Sequence, residues 1–131
     1  YISKMYKILI YIFHVSIFFL IIVSLWPGSL LGYILYDDWG KQPNLIKNPF
    51  DTTVNHFIFY AYVSLLGLFL HSKNENFIKL FYGLLFLSAI LEIFHLVIPN
   101  RSFQLGDLLG NILGVIVAYF VIKIYLFIGK K

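Results

Sequence analysis

The chain contains no cysteine, so neither a disulfide nor a thiolate metal site can form, and redox compartment cannot be read from it. Charge is also scarce. Only 12% of the 131 residues are charged and six are acidic, too few to coat a water-soluble surface. No glycine-rich phosphate loop, serine-nucleophile elbow or zinc-protease motif occurs, which removes the commonest motif-bearing enzyme classes. The ten basic residues give a net charge of +4 but form no stripe. Anionic lipid headgroups therefore fit as neighbours, and nucleic acid does not.

What is present is apolar. Hydrophobic residues make up 60% of the chain and mean hydropathy is +0.85. They fall in four long runs without amphipathic spacing, the pattern of membrane spans. The expected fold is therefore all-α: a single polytopic membrane domain over 1–131, with four transmembrane helices in a small bundle. The expected spans are about 5–26, 53–70, 77–98 and 106–128. Lys4 and Lys7 precede the first run, but Ile8 to Trp26 is longer than a signal-peptide core of about 7–15 residues and lacks a small-residue cleavage site. It reads as a retained span, with His14 near its middle as a neutral imidazole bonded to a neighbouring helix. Pro27 and Gly28 end that span. Residues 27–51 form the only long connection, suited to the headgroup region, with Tyr33, Tyr36 and Trp39 as interfacial anchors. Asp51 or Thr52 is the expected N-cap of the second span.

Four spans place Lys4, Lys7, Lys73, Lys79, Lys130 and Lys131 on one side, with Lys123 snorkelling to it. Lys41, Lys47 and Arg101 fall on the other side, diluted by Asp37, Asp38 and Asp51. The positive-inside rule then puts both termini in the cytoplasm. The same arrangement gathers Asp51, His56, Glu92, His95, Arg101, Asp107 and Asn111 at the outward end of the bundle.

A carboxylate within a span costs about 2.5–3.5 kcal/mol on insertion scales, so unpaired ones imply a purpose. Glu92 and His95 are three apart and share a helix face, with Glu92 about 9 Å below the expected helix end at Ile98. Arg101, in the following turn, is the nearest fixed cation, and its guanidinium can grip a carboxylate or a phosphate. A Glu92–Arg101–Asp107 network that only fixes how the helices meet is the structural alternative. His56, Tyr60 and Ser64 recur every four residues as one polar stripe. Glu92 and His56 are the candidate acid/base groups; Arg101, Asp107, Asn111, His95 and Asp51 are the candidate ligand-binding residues. His56, His95, Glu92 and Asp107 include the donor types of a zinc site, yet a lone Glu-x-x-His pair falls short of the carboxylate metal sites of helical bundles, so neither metal nor cofactor is expected. Gly106, Gly110 and Gly114 repeat every four residues and favour close helix packing. That glycine face also offers a surface for a second copy or another membrane protein.

These residues form a recognisable series: Glu92-x-x-His95, then Pro99-Asn100-Arg101-Ser102, then Asp107-x-x-x-Asn111-x-x-Gly114. The series resembles the signature of VanZ-like membrane proteins, whose third span ends in Glu-x-x-Gln, followed by an arginine and a fourth span opening Asp-x-x-x-Asn-x-x-Gly. Asp51 with His56 is similar to that family's Asp-Lys-x-x-His at the start of the second span. Thr52 stands where the family has lysine, the histidine comes one residue later, and His95 replaces the glutamine. The resemblance covers about 51–114. It implies a small bacterial membrane protein of a family named for association with resistance to the glycopeptide teicoplanin. It also marks Glu92, Arg101, Asp107, Asn111 and His56 as functional positions without assigned roles. Three functions follow as expectations, in this order: binding of a membrane lipid or lipid-linked cell-envelope precursor, an intramembrane enzyme acting on one, or a structural partner of other membrane proteins through the glycine face.

Overall fold

The computed structural model describes residues 2–43 and 52–129. Five helices follow in order, α1 (Ile2–Leu25), α2 (Leu30–Tyr36), α3 (Thr53–Leu70), α4 (Asn76–Phe94) and α5 (Leu105–Ile128), and no strand occurs among the described residues. Four of them are long and apolar enough to cross a membrane. Their outward faces stay hydrophobic, with Phe18, Phe86, Phe120 and Ile124 all exposed, because lipid tails solvate them as well as a protein core does. The chain is an all-helical, multi-pass membrane protein.

The bundle core lies between α3 and α5. Gly114 is seated so closely on α3 that an added Cβ would lie 2.6 Å from the Phe57 carbonyl oxygen and 2.8 Å from the Ala61 nitrogen. One turn earlier a Cβ on Gly110 would meet the Thr53 carbonyl oxygen at 2.6 Å, and on Gly106 the Thr53 hydroxyl at 2.8 Å. The three glycines thus form a seam filled by α3 of the same chain. Beyond the seam, Tyr60, Val63, Leu84, Val115, Ala118 and Ile122 complete the core. Helix α1 leans against this pair, with Phe13 over Gly67. His14 donates from Nδ1 to the Ile10 carbonyl of its own helix, 2.8 Å away, and not to a neighbouring helix.

Beyond shifts of one to three residues at other helix ends, two features differ from the sequence reading. Helix α4 ends at Phe94 because His95, Leu96 and Val97 each bond back three residues, a tightened last turn that runs into Pro99. The 27–51 connection contains α2, a seven-residue helix capped by Ser29, whose Oγ accepts from the Gly32 nitrogen at 2.9 Å. Asp37 closes it in the left-handed region at φ 54°. Tyr33 stacks on Trp39 at 4.0 Å between ring centroids, and Trp39 stacks on Trp26 at 6.0 Å. The two tryptophans therefore hold α2 to the end of α1.

Candidate functional site

The C-terminal ends of α1 and α4 and the N-terminal ends of α3 and α5 meet at one end of the bundle. Asp107, in the first turn of α5, accepts from the Thr52 hydroxyl at 3.2 Å on both oxygens and from the Thr53 hydroxyl at 3.2 Å. Thr52 therefore spends its side chain on Asp107 and makes no cap bond to α3. Asp51 lies outside the described residues.

Asn111, one turn further along α5, fixes the His56 ring. Its Nδ2 donates to the Ser88 carbonyl at 3.2 Å, so its Oδ1 is an acceptor and the His56 Nδ1 hydrogen donates to it at 2.9 Å. The other ring nitrogen, Nε2, then faces the Asp107 Oδ2 at 3.5 Å. On the opposite side of this group Glu92 is only 1% exposed. Its shortened helix puts it in the last turn of α4 rather than deep in the span, yet the 95–104 segment covers it. Glu92 Oε1 accepts from the Gln104 backbone nitrogen at 3.2 Å and stands 3.2 Å from the His95 Nδ1. His95 Nε2 donates to the Ser24 carbonyl at 3.0 Å, which leaves Nδ1 as the nitrogen that faces Glu92.

Arg101 does something the spacing did not suggest. Its Nη2 donates to the Val23 carbonyl at 2.6 Å and its Nε to the Trp26 carbonyl at 3.2 Å. It caps the Val23 carbonyl in the last turn of α1 and the Trp26 carbonyl just past its end, and it meets the negative end of the helix dipole. Among the described residues no carboxylate lies within ion-pair distance of it; the Glu92–Arg101–Asp107 clamp is replaced by three histidine–carboxylate contacts, His95–Glu92, His56–Asp107 and His56–Glu92. Burial pulls the guanidinium below its ordinary pKa, and Glu92 and Asp107, charged but not in contact, pull the other way. Two of the five guanidinium N–H groups are used on α1.

A cavity of about 90 Å³ opens beside these groups. Leu20 and Val23 of α1, Leu30 and Leu31 of α2, and Phe59 of α3 supply apolar wall. His56, Asn55, Tyr60, His95 and Arg101 supply polar wall. Gln42 and Pro43 also line it, held where Asn55 Nδ2 donates to the Pro43 carbonyl at 3.0 Å.

The structure thus brings His56, Glu92, His95, Asp107 and Asn111 into one connected cluster and sets Arg101 at its rim. Gly106, Gly110 and Gly114 lie on the α3 seam behind it. Sequence reasoning missed Thr53, Ser88 and Gln104, and missed Thr52 except as a cap. Two of the contributions, from Ser88 and Gln104, are backbone groups with no side-chain signature; Thr52 and Thr53 offered only hydroxyls at the start of the second apolar run. No protein-family model, curated protein or solved structure matches the chain.

Proposed function

We propose that this chain is a bacterial VanZ-like protein of the cytoplasmic membrane whose outward-facing pocket binds the polar end of a lipid or lipid-linked cell-envelope molecule. The observation that carries the proposal is the make-up of the cavity wall. Leu20, Val23, Leu30, Leu31 and Phe59 line it together with His56, His95 and Arg101. An apolar pocket with a few convergent polar groups is the usual form of a small-molecule site. Among the described residues only two of the five Arg101 N–H groups find an acceptor, and a planar guanidinium suits phosphate oxygens. The volume fits a headgroup fragment and leaves the acyl or isoprenyl chain in the bilayer. Both termini lie in the cytoplasm on this reading, and the resemblance to VanZ-like proteins makes glycopeptide protection the phenotype to test.

The enzyme reading has one observation in its favour. His56 lines the cavity with Nε2 beside Asp107, an arrangement suited to passing a proton. His56 is better placed for that than Glu92, which does not line the cavity. The structural-partner reading loses its support, because α3 already fills the glycine seam.

Native mass spectrometry of protein released from nanodiscs tests the binding proposal, with isoprenyl phosphate and neutral diacylglycerol offered together. The phosphate lipid should be retained preferentially, and Arg101→Gln should lose it while Lys123→Gln at the far end keeps it. Equal retention of both lipids, or retention by a folded Arg101→Gln variant, would refute the proposal.

A further inference from the structure

The charge of the cluster does not balance through fixed cations. Glu92 and Asp107 are buried, and no Lys or Arg among the described residues lies within 4.0 Å of either. Glu92 Oε1 has its partners, but Oε2 is buried with no hydrogen bond among the described residues and lies 3.9 Å from His56 Nδ1, the nitrogen that donates to Asn111. His56 presents Nε2, the ring nitrogen not committed to Asn111, to Asp107 at 3.5 Å. One ligand atom each from His56, Glu92 and Asp107 lies within 4.8 Å of the other two.

We infer that His56, Glu92 and Asp107 bind a divalent transition-metal ion, zinc or manganese by the nitrogen and oxygen character of the set. Zinc bonds of about 2.0–2.2 Å put neighbouring ligand atoms about 3.4 Å apart in a tetrahedron. The His56–Asp107 separation already has that value, and the widest separation exceeds it by no more than about 1.4 Å. The surroundings are those of a metal site. A ligating histidine generally donates its other ring hydrogen to an oxygen acceptor, as His56 does to Asn111, and ligating carboxylates are themselves hydrogen-bonded, as Asp107 is by Thr52 and Thr53. Three protein ligands leave a coordination position open, the pattern of reactive sites rather than structural ones. The inference does not depend on which molecule fills the cavity, although His56 belongs to both. It reverses the sequence expectation of no metal, which rested on a single Glu-x-x-His pair. His95, the second member of that pair, is outside the metal group, and His56 from another helix takes its place.

The full chain, purified in detergent and stripped with chelator, is titrated by calorimetry with zinc chloride and separately with manganese chloride. One ion should bind per chain. His56→Gln and Asp107→Asn should abolish that step, Asn111→Leu should weaken it about 10–100-fold, and His14→Gln and His71→Gln should leave it unchanged. X-ray absorption of the loaded wild-type protein covers the case in which a variant fails to fold: it should show one imidazole among oxygen ligands. No stoichiometric step in folded wild-type protein, a step untouched in folded His56→Gln, or a spectrum with two or more imidazoles would each overturn the inference.

Discussion

Substituting Gly110 by alanine tests how tightly the site depends on the α3–α5 seam. A Cβ at this position would stand 2.6 Å from the Thr53 carbonyl oxygen, and ordinary contact begins near 3.4 Å. The two helices must therefore part by about 0.8 Å locally, because the obstructing atom is backbone and cannot rotate away. Overpacking of this kind costs about 1–3 kcal/mol, against a helix-propensity gain of about 0.5–1 kcal/mol for replacing glycine. Gly83→Ala supplies the control. It carries the same propensity gain and meets nothing within 4 Å, so the stability difference between the two variants isolates the packing cost at about 1–3 kcal/mol. The separation also reaches the site. Thr52 and Thr53 hold Asp107 at 3.2 Å, and a shift of that size would carry both hydroxyls out of hydrogen-bond range. Reversible unfolding in mixed detergent micelles gives the stability difference, and ligand retention gives the second effect. If Gly110→Ala and Gly83→Ala are equally stable, the seam is not close-packed and the reasoning fails.

Three further outcomes follow from the geometry. Arg101→Gln removes two charge-assisted bonds at the end of α1, worth about 1.5–3 kcal/mol each at most, so its melting temperature should fall while Lys73→Gln, at an exposed position, leaves it unchanged; equal melting of the two variants would remove Arg101 as the cap of α1. Trp39→Phe should alter the near-ultraviolet dichroism through loss of its stacking with Trp26 and Tyr33, with a stability cost of about 0.5–1.5 kcal/mol; an unchanged spectrum would place α2 away from α1. Reporters fused after Gly129 and within 72–75 should read cytoplasmic and one at Gly40 external, and the reverse pattern would move the pocket to the cytoplasmic face.

The four spans were legible because each is a continuous apolar run bounded by charge, proline or glycine, and α3 coincides with the run at 53–70. The end of α4 was not, since hydropathy continues through Leu96, Val97 and Ile98 while the backbone has already tightened into three-residue bonds. Helix α2 was hidden by its length, too short for a periodic signal within a mixed segment. Costly polar residues in apolar helices marked the positions of the site, because their insertion penalty limits them to places where they find partners. Their partners were not marked. Arg101 was assigned to carboxylates because they are the only anionic side chains nearby, whereas the carbonyls ending α1 attract it without appearing in the sequence as anything but Val23 and Trp26. His56 was likewise placed on the stripe with Tyr60, but its ring orientation depends on Asn111, 55 residues away.

The central claim, that the cluster and its cavity receive the polar end of a membrane molecule, is tested most directly by photolabelling. An isoprenyl phosphate carrying a diazirine near the phosphate is incorporated with the protein into nanodiscs, irradiated, and the labelled peptides are sequenced. The account predicts labelling within 20–31 and 52–60, the walls of the cavity, suppressed by excess unlabelled isoprenyl phosphate and by Arg101→Gln. Labelling spread over lipid-facing residues such as Phe86 and Phe120, indifferent to competitor and to Arg101, would contradict it.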